Sequence, residues 1–366
     1  MNTKEQSLNT FFTRQLMLWN SNFNFREMPW KGETNPYRIW LSEIILQQTQ
    51  VAQGLSYYKK FINTYPTVNE LSNANPNDVF KLWEGLGYYS RCKNLLFAAG
   101  QIVNDFNGVF PGTYTDILSL KGIGPYTAAA IASFAYKLPY AVLDGNVIRV
   151  LSRYFAIGTP YDTTEGKKLF QEKANELLDT KQPHLYNQAI MDFGATVCTP
   201  ANPNCTQCNL NKHCASYLNN NVLEFPVKAK KIIKRKRFFI FLIIENNKKQ
   251  LLVKKRENKD IWQNLHQFFE IENGDLYSLK DTLLFQSLKT QFPELIFSDE
   301  LTIFDEQKQT LTHQIVHSKF ITGIQLNDNK IIDGYNWISI TDLNKIAFPK
   351  TAQKAVKELI FIKKSQ

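Results

Sequence analysis

Four of the five cysteines fall within 17 positions, spaced Cys198-x6-Cys205-x2-Cys208-x5-Cys214. Thiolates this close, interleaved with Pro200, Asn202 and Pro203, make a compact loop that can wrap one inorganic centre. A tetrahedral zinc ion and an iron–sulfur cluster both take four thiolates, so ligand count alone leaves both open. A reducing cytosol argues against disulfides for the same residues. Cys92 stands apart and reads as a small buried apolar residue.

Two carboxylates stand in informative surroundings. In IWLSEIILQQTQV (39–51), Glu43 begins a polar line that continues through Gln47, Gln50 and Gly54 on an otherwise apolar helix. Such a line can simply face solvent. The flanking Trp40, Leu41, Ile44, Ile45 and Leu46 instead predict a half-buried carboxyl, whose pKa desolvation raises until it can act as an acid near neutrality. Asp144, in AVLDGNVIRVLSRYF, precedes an apolar stripe of Val147, Val150, Leu151 and Tyr154 and is a natural helix N-cap. Amide bonds to it are expected to keep it ionised, and a fixed anion near a sugar suits an oxocarbenium-like transition state.

Between the two lies LKGIGPYTAAA (120–130). Gly122 and Gly124 permit a tight turn with positive φ, and Pro125 suits the first position of the next helix. Amides at such a turn can bond a phosphate, although an ordinary helical corner uses the same residues. Helical stripes recur over 8–19, 38–62 and 90–103, separated by turns at Asn35-Pro36, Asn75-Pro76 and Phe110-Pro111-Gly112. Residues 226–237 (PVKAKKIIKRKR) carry seven basic residues and no acid, which suits a solvated linker and equally a segment lying along a phosphate backbone. Beyond them, 238–244, 251–253 and 315–320 read as strands and 278–290 and 350–363 as helices. The predicted organisation is multidomain: an all-α domain over 1–225, a basic linker over 226–236 and a smaller α+β domain over 237–366.

The net charge of +10 and pI near 9.1 favour a polyanionic partner, as they do for many proteins that bind none. The longest apolar run, Phe238–Ile244, is far below the ~20 residues of a membrane span, and residues 1–20 lack a leader's apolar core. A cytoplasmic protein without a membrane partner is expected.

Together these segments resemble the helix-hairpin-helix DNA glycosylases, and among them the MutY-type adenine DNA glycosylases. The resemblance rests on MPWKGETNPYRIWLSEIILQQTQV, LWEGLGYYSRCKNL, LKGIGPYTAAAIASFA, VLDGNVIRVLSR, YNQAIMDFGATVC and the cysteine loop, nearly all of residues 1–220. The family uses this cysteine spacing for a [4Fe–4S] cluster, which implies that Cys198, Cys205, Cys208 and Cys214 hold one. Relatives resembling endonuclease III place a nucleophilic lysine where this chain has Tyr126, so the resemblance implies a monofunctional hydrolase.

By the same resemblance, Glu43 protonates the adenine and then helps water add, and Asp144 stabilises the oxocarbenium ion. Tyr126 bonds near the sugar or Asp144, and Asn146 helps hold Glu43 and the water. Trp30, Lys31, Leu46 and Gln188 line the pocket for a flipped adenine. Gln48 and Tyr88 fill the stack beside the opposite base, and the amides of Gly122 and Gly124 take a phosphate. Lys31 replaces a common arginine and Lys121 a usual proline. Residues 237–366 resemble the Nudix-like domain that recognises 8-oxoguanine, with Leu311-Thr312-His313 where Phe-Ser-His is frequent, so that Thr312 probes the oxidised base. No Glu occurs over 275–290, where a metal-dependent Nudix hydrolase needs several. The implied partner is double-stranded DNA with adenine opposite 8-oxoguanine or guanine, bound by a nucleoid-associated monomer.

Overall fold

The computed structural model describes residues 3–229, 233–327 and 332–364. The chain divides into two compact units, Met1–Ser72 with Asn94–Lys231, and Asn73–Lys93 with Ile232–Gln366. The helices of its first half are α1 (Thr3–Phe23), α2 (Pro36–Leu46), α3 (Val51–Thr64), α4 (Val68–Ser72), α5 (Pro76–Trp83) and α6 (Tyr89–Asp105). They are followed by α7 (Tyr114–Ser119), α8 (Pro125–Tyr136), α9 (Gly145–Phe155), α10 (Thr164–Leu177), α11 (Pro183–Thr196) and α12 (Ala215–Leu218). Helix α5 and the start of α6 cluster with the second unit, although they precede the helical hairpin in sequence.

The two Asn-Pro pairs are helix starts. The Asn35 side chain accepts from the amides of Tyr37 and Arg38, Asn75 accepts from Asn77, and each proline takes the first helical turn. The single helix expected over 38–62 is two: α2 ends at Leu46, Gln48 adopts φ +53, and α3 begins at Val51. No apolar residue between Gln47 and Gln50 extends the core face. Gly54 lets α3 pass close to the end of α2, since a Cβ there would lie 2.9 Å from Leu46 Cδ2. Gln47 still lines the pocket that holds Glu43, but Gln50 and Gly54 do not continue that face.

The helical core gathers Phe12, Leu16 and Trp19 of α1, the predicted stripe of α9 and Tyr186, Ile190 and Phe193 of α11. Val147, Val150, Leu151 and Tyr154 are each 2% exposed or less. Helices α9 and α11 meet closely because Gly194 has no side chain; a Cβ there would stand 2.7 Å from that of Asn146.

The second unit holds a mixed sheet built from β1 (Arg235–Glu245), β2 (Gln250–Lys255), β3 (His266–Gln267), β4 (Phe269–Glu272), β5 (Ile296–Thr310), β6 (Gln314–Gln325) and β7 (Tyr335–Ser339). Its order among the described residues is β3-β2-β1-β6-β5, with β4 paired to β1 and β7 to β2. β1 and β6 run parallel, and the other pairs are antiparallel. The three predicted strands are the centres of β1, β2 and β6, and Phe239–Ile244 is buried throughout because β1 lies inside the sheet. Helices α13 (Gly274–Tyr277), α14 (Asp281–Gln291) and α15 (Lys350–Lys364) complete the unit. Leu311, Thr312 and His313 form the connection of the β5–β6 hairpin, closed by a 2.8 Å bond from the Leu311 amide to the Gln314 carbonyl.

Gly194→Ala is expected to lower unfolding free energy by about 1–3 kcal/mol through overpacking. Gly124→Ala, where a Cβ meets open space, is expected to stay within about 0.5 kcal/mol. Denaturant melts of the two variants check both.

Candidate active site

Glu43 lies in the last turn of α2 and is only 9% exposed, deeper than its sequence neighbours suggested. Burial pushes its carboxyl up to about 7, the nearby Asp144 charge adds to the rise, and a hydrogen bond from Tyr126 opposes it. Tyr126 comes from the first turn of α8. Its own hydroxyl is pushed well above the usual phenol value by burial and by Glu43, so it stays a neutral donor. It was expected near the sugar or Asp144; it stands beside both Glu43 and Asp144, whose charges raise it, and its hydroxyl donates to Met191 Sδ at 3.7 Å.

Asp144 is the N-cap of α9, its Oδ1 accepting from the Val147 amide at 2.8 Å. Its Oδ2 accepts from Asn146 Nδ2 at 2.7 Å. Asn146, expected to hold Glu43, thus holds Asp144, because it sits in the first turn that Asp144 caps. Burial raises the Asp144 carboxyl despite these bonds and the Arg149 charge, so the expectation of a depressed value is corrected: desolvation is the largest influence. Arg149 continues the network. Its Nη2 donates to Asn146 Oδ1 at 2.8 Å and to the Gly194 carbonyl at 2.6 Å, and its Nε to the Cys198 carbonyl at 2.7 Å.

One pocket of the helical unit is lined by Glu43, Asp144, Tyr126 and Asn146 together with Trp30, Lys31, Leu46, Gln48 and Gln188. Trp30 packs edge-on against Tyr58 at 5.3 Å. Arg26, Val51, Met191 and Asp192 also line it and went unpredicted. Met191 and Asp192 follow Gln188 at i+3 and i+4, so the helical face of α11 carried that signal.

At the hairpin, only Gly122 uses positive φ, at +82°, and a Cβ there would strike Asn94. Gly124 is the N-cap of α8 at φ −100° and supplies no side-chain cap. The second unit holds Tyr88 and Thr312, whose hydroxyls lie 2.7 Å apart. Tyr88 is 44% exposed at φ +48°, and Arg91 lies over its ring at 5.3 Å and over that of Trp83 at 5.2 Å.

Cys198, Cys205, Cys208 and Cys214 are free thiols that line one small cavity beside Arg153. Arg153 is 2% exposed and donates to the carbonyls of Thr199, Pro200, Val222 and Phe225, with Nη1 3.5 Å from Cys198 Sγ. Burial and the neighbouring sulfurs push Cys208 up to about 12, so thiolates here need a cationic centre to balance them. Among the described residues, no three His, Cys, Asp or Glu side chains converge as ligands of a metal ion. No described helix is long and apolar enough to cross a membrane.

Residues 41–178 match the family of HhH-GPD superfamily base excision DNA repair proteins, and residues 240–358 match the NUDIX domain family. The chain is 34% identical over 357 residues to an adenine DNA glycosylase of Buchnera aphidicola subsp. Baizongia pistaciae, covering 95% of this chain and 96% of that one. Against the adenine DNA glycosylase of Buchnera aphidicola subsp. Schizaphis graminum it is 36% identical over 361 residues, covering 94% and 98%. Among solved structures, a thermostable thymine-DNA glycosylase superposes with a TM-score of 0.55 at 28% identity, covering 59% of this chain and 99% of that one.

A carboxyl whose folded pKa is raised makes folding less favourable as pH climbs from the unfolded value of 4.5 through about 7. The native protein is expected to lose about 2 kcal/mol from this group between pH 5 and pH 8, a loss that Glu43→Gln escapes. Urea melts of both proteins at the two pH values check it.

Proposed function

The chain belongs to the adenine DNA glycosylase family, enzymes that hydrolyse N-glycosyl bonds, and on that premise we propose that it removes adenine paired with 8-oxoguanine or guanine in double-stranded DNA. The observation that carries the reading is the unequal pair of carboxyls in one pocket. Glu43 is buried and pushed up to about 7, while Asp144 is held by the Val147 amide and Asn146. Burial raises both carboxyls, but at Asp144 the amide, Asn146 and Arg149 oppose the rise, so Glu43 serves as the acid and Asp144 as the anion.

In the proposed reaction an adenine flipped from the duplex enters between Trp30, Lys31, Leu46 and Gln188. Glu43 gives its proton to the imidazole side of the ring, with Tyr126 holding the carboxyl in place. The glycosidic electron pair leaves with the base, and the Asp144 carboxylate faces the positive charge that develops on the sugar. Glu43, now ionised, takes a proton from the attacking water. Asn146 keeps Asp144 aimed. With Tyr126 instead of an amine, no Schiff base forms and the strand stays intact.

The uncapped start of α8 and the turn at Gly122 and Gly124 supply amides for a phosphate of the bound strand. Gln48 and Tyr88, both with positive φ, serve as wedges in the stack, and Thr312 in its hairpin loop probes the 8-oxoguanine. The domain limits follow as 1–225 for catalysis, 226–236 for the basic linker and 237–366 for recognition of the opposite base. The enzyme acts as a cytoplasmic, nucleoid-associated monomer. The four cysteines line one cavity and would hold a [4Fe–4S] cluster through their thiolates, as their spacing suits. When bound, the cluster supplies a cross-link that closes residues 198–214 into a rigid loop.

A duplex with one adenine opposite 8-oxoguanine is expected to lose adenine, with strand breakage only after alkali. The single-turnover rate is expected to fall as pH rises through about 7, where Glu43 loses its proton, and to drop about 10²–10⁴-fold in Glu43→Gln. Borohydride trapping of a covalent protein–DNA adduct would contradict the reading. Purified protein is expected to be brown, with about four irons per chain and a visible absorbance lost on oxidation; one zinc per chain and no colour would overturn the cluster assignment.

A further inference from the structure

Between the end of α1 at Phe23 and the start of α2 at Pro36, twelve residues run without helix or strand. Their backbone bonds are local, such as Lys31 N to the Met28 carbonyl at 3.0 Å and Glu33 N to the Trp30 carbonyl at 3.1 Å. Yet this segment brings Arg26, Trp30 and Lys31 to the pocket. A loop of that length needs long-range ties to hold a side chain to within an ångström. Trp30 on Tyr58 is one such tie.

The polar tie is Asp192 on α11. Its side chain is fully buried, at 0% exposure, and three side chains of the loop converge on it. Oδ1 accepts from Arg26 Nη1 at 2.7 Å, and Oδ2 from Asn24 Nδ2 at 2.9 Å. Lys31 Nζ stands 3.3 Å from Oδ2 and also donates to the Arg26 carbonyl at 2.9 Å. Asp192 stands one helical turn after Gln188, so α11 contributes to the same pocket directly through one residue and through the loop by the other. A fully buried carboxylate with two cations and an amide is a fixed point, since losing its charge would remove the partner that holds all three.

We propose that Asp192 is a positioning residue for base excision: by gathering Asn24, Arg26 and Lys31, it fixes the 24–35 loop so that Trp30 and Lys31 meet the flipped base in register with Glu43. The inference rests on reading this pocket as the adenine site. Lys31 Nζ donates to the Arg26 carbonyl and is ion-paired with Asp192, which leaves an N–H for an acceptor on the base. The aim of that N–H is set by the carboxylate, not by the lysine's flexible stem.

The test uses the full-length protein with Asp192→Asn, which keeps size and loses charge. Single-turnover adenine release is expected to slow about 10–100-fold, as for a misplaced base, while affinity for the duplex changes far less. Limited trypsin digestion gives a readout independent of activity: cleavage after Arg26 and Lys31 is expected to accelerate in the variant. In an Arg26→Gln, Lys31→Met background, Asp192→Asn is expected to slow release little further, because its partners are gone. The proposal is overturned by unchanged release and digestion, or by an equal slowing in both backgrounds, which marks a general folding role. Should Asp192→Asn fail to fold, Arg26→Gln alone is expected to show the same slow release and faster cleavage after Lys31, and native behaviour there overturns the proposal. If the unaltered protein releases no adenine, the pocket reading fails instead, and the digestion still decides whether Asp192 anchors the loop.

Discussion

The Glu43 carboxyl is buried at the end of α2 with Tyr126 and Asp144 beside it, and that desolvation is what the site depends on. Moving a carboxyl from 4.5 to about 7 corresponds to about 3 kcal/mol against its charged form. That cost is met by core packing that does not depend on Glu43. Trp40, Leu41 and Ile45 of the same helix are fully buried, and the Ala128–Ala130 stretch of α8 lets the two helices pack tightly behind it. A second carboxyl nearby sharpens the division, since two like charges in a dry pocket resist being ionised together.

Asp144 meets the opposite demand. It is also desolvated, but the start of α9 answers with an amide, the Asn146 side chain and, through Asn146, Arg149. Arg149 reaches on to the carbonyls of Gly194 and Cys198, and Arg153, one turn later, binds the carbonyls that follow Cys198. The cysteine loop is therefore joined to the Asp144 cap through the successive arginines of one helix. The absent side chain at Gly194 is what lets α11 approach Asn146 closely enough for that join. The cysteine loop thus reaches the support of Asp144 without lining the carboxyl pocket.

Much of this was legible in residue types and spacing. Asp144 before the α9 stripe announced its cap, and Glu43 amid aromatic and aliphatic neighbours announced burial. The cysteine spacing announced a shared cavity, and Pro125 announced the start of α8. The hydrogen-bond partners were not legible. Asn146 bonds Asp144 because the first turn of α9 folds back on its cap, and Tyr126 bonds Glu43 because α8 runs beside α2; both depend on helix packing, which periodicity does not encode. The polar line through Gln47, Gln50 and Gly54 suggested one helix, and the positive φ at Gln48 broke it. The spacing from Gln188 placed Asp192 on the pocket face of α11, but its three partners lie 161 to 168 positions away and were not legible. The grouping of residues 73–93 with the second unit was hidden for the same reason.

The central claim is that Glu43 holds its proton far above the ordinary carboxyl range, up to about pH 7. Infrared difference spectra recorded across a pH titration, with Glu43→Gln as the reference, observe that proton directly. A carboxylic acid band that disappears with a midpoint near 7 and is missing from the variant is the expected result. A carboxylate at Glu43 already formed at pH 5 would contradict the account.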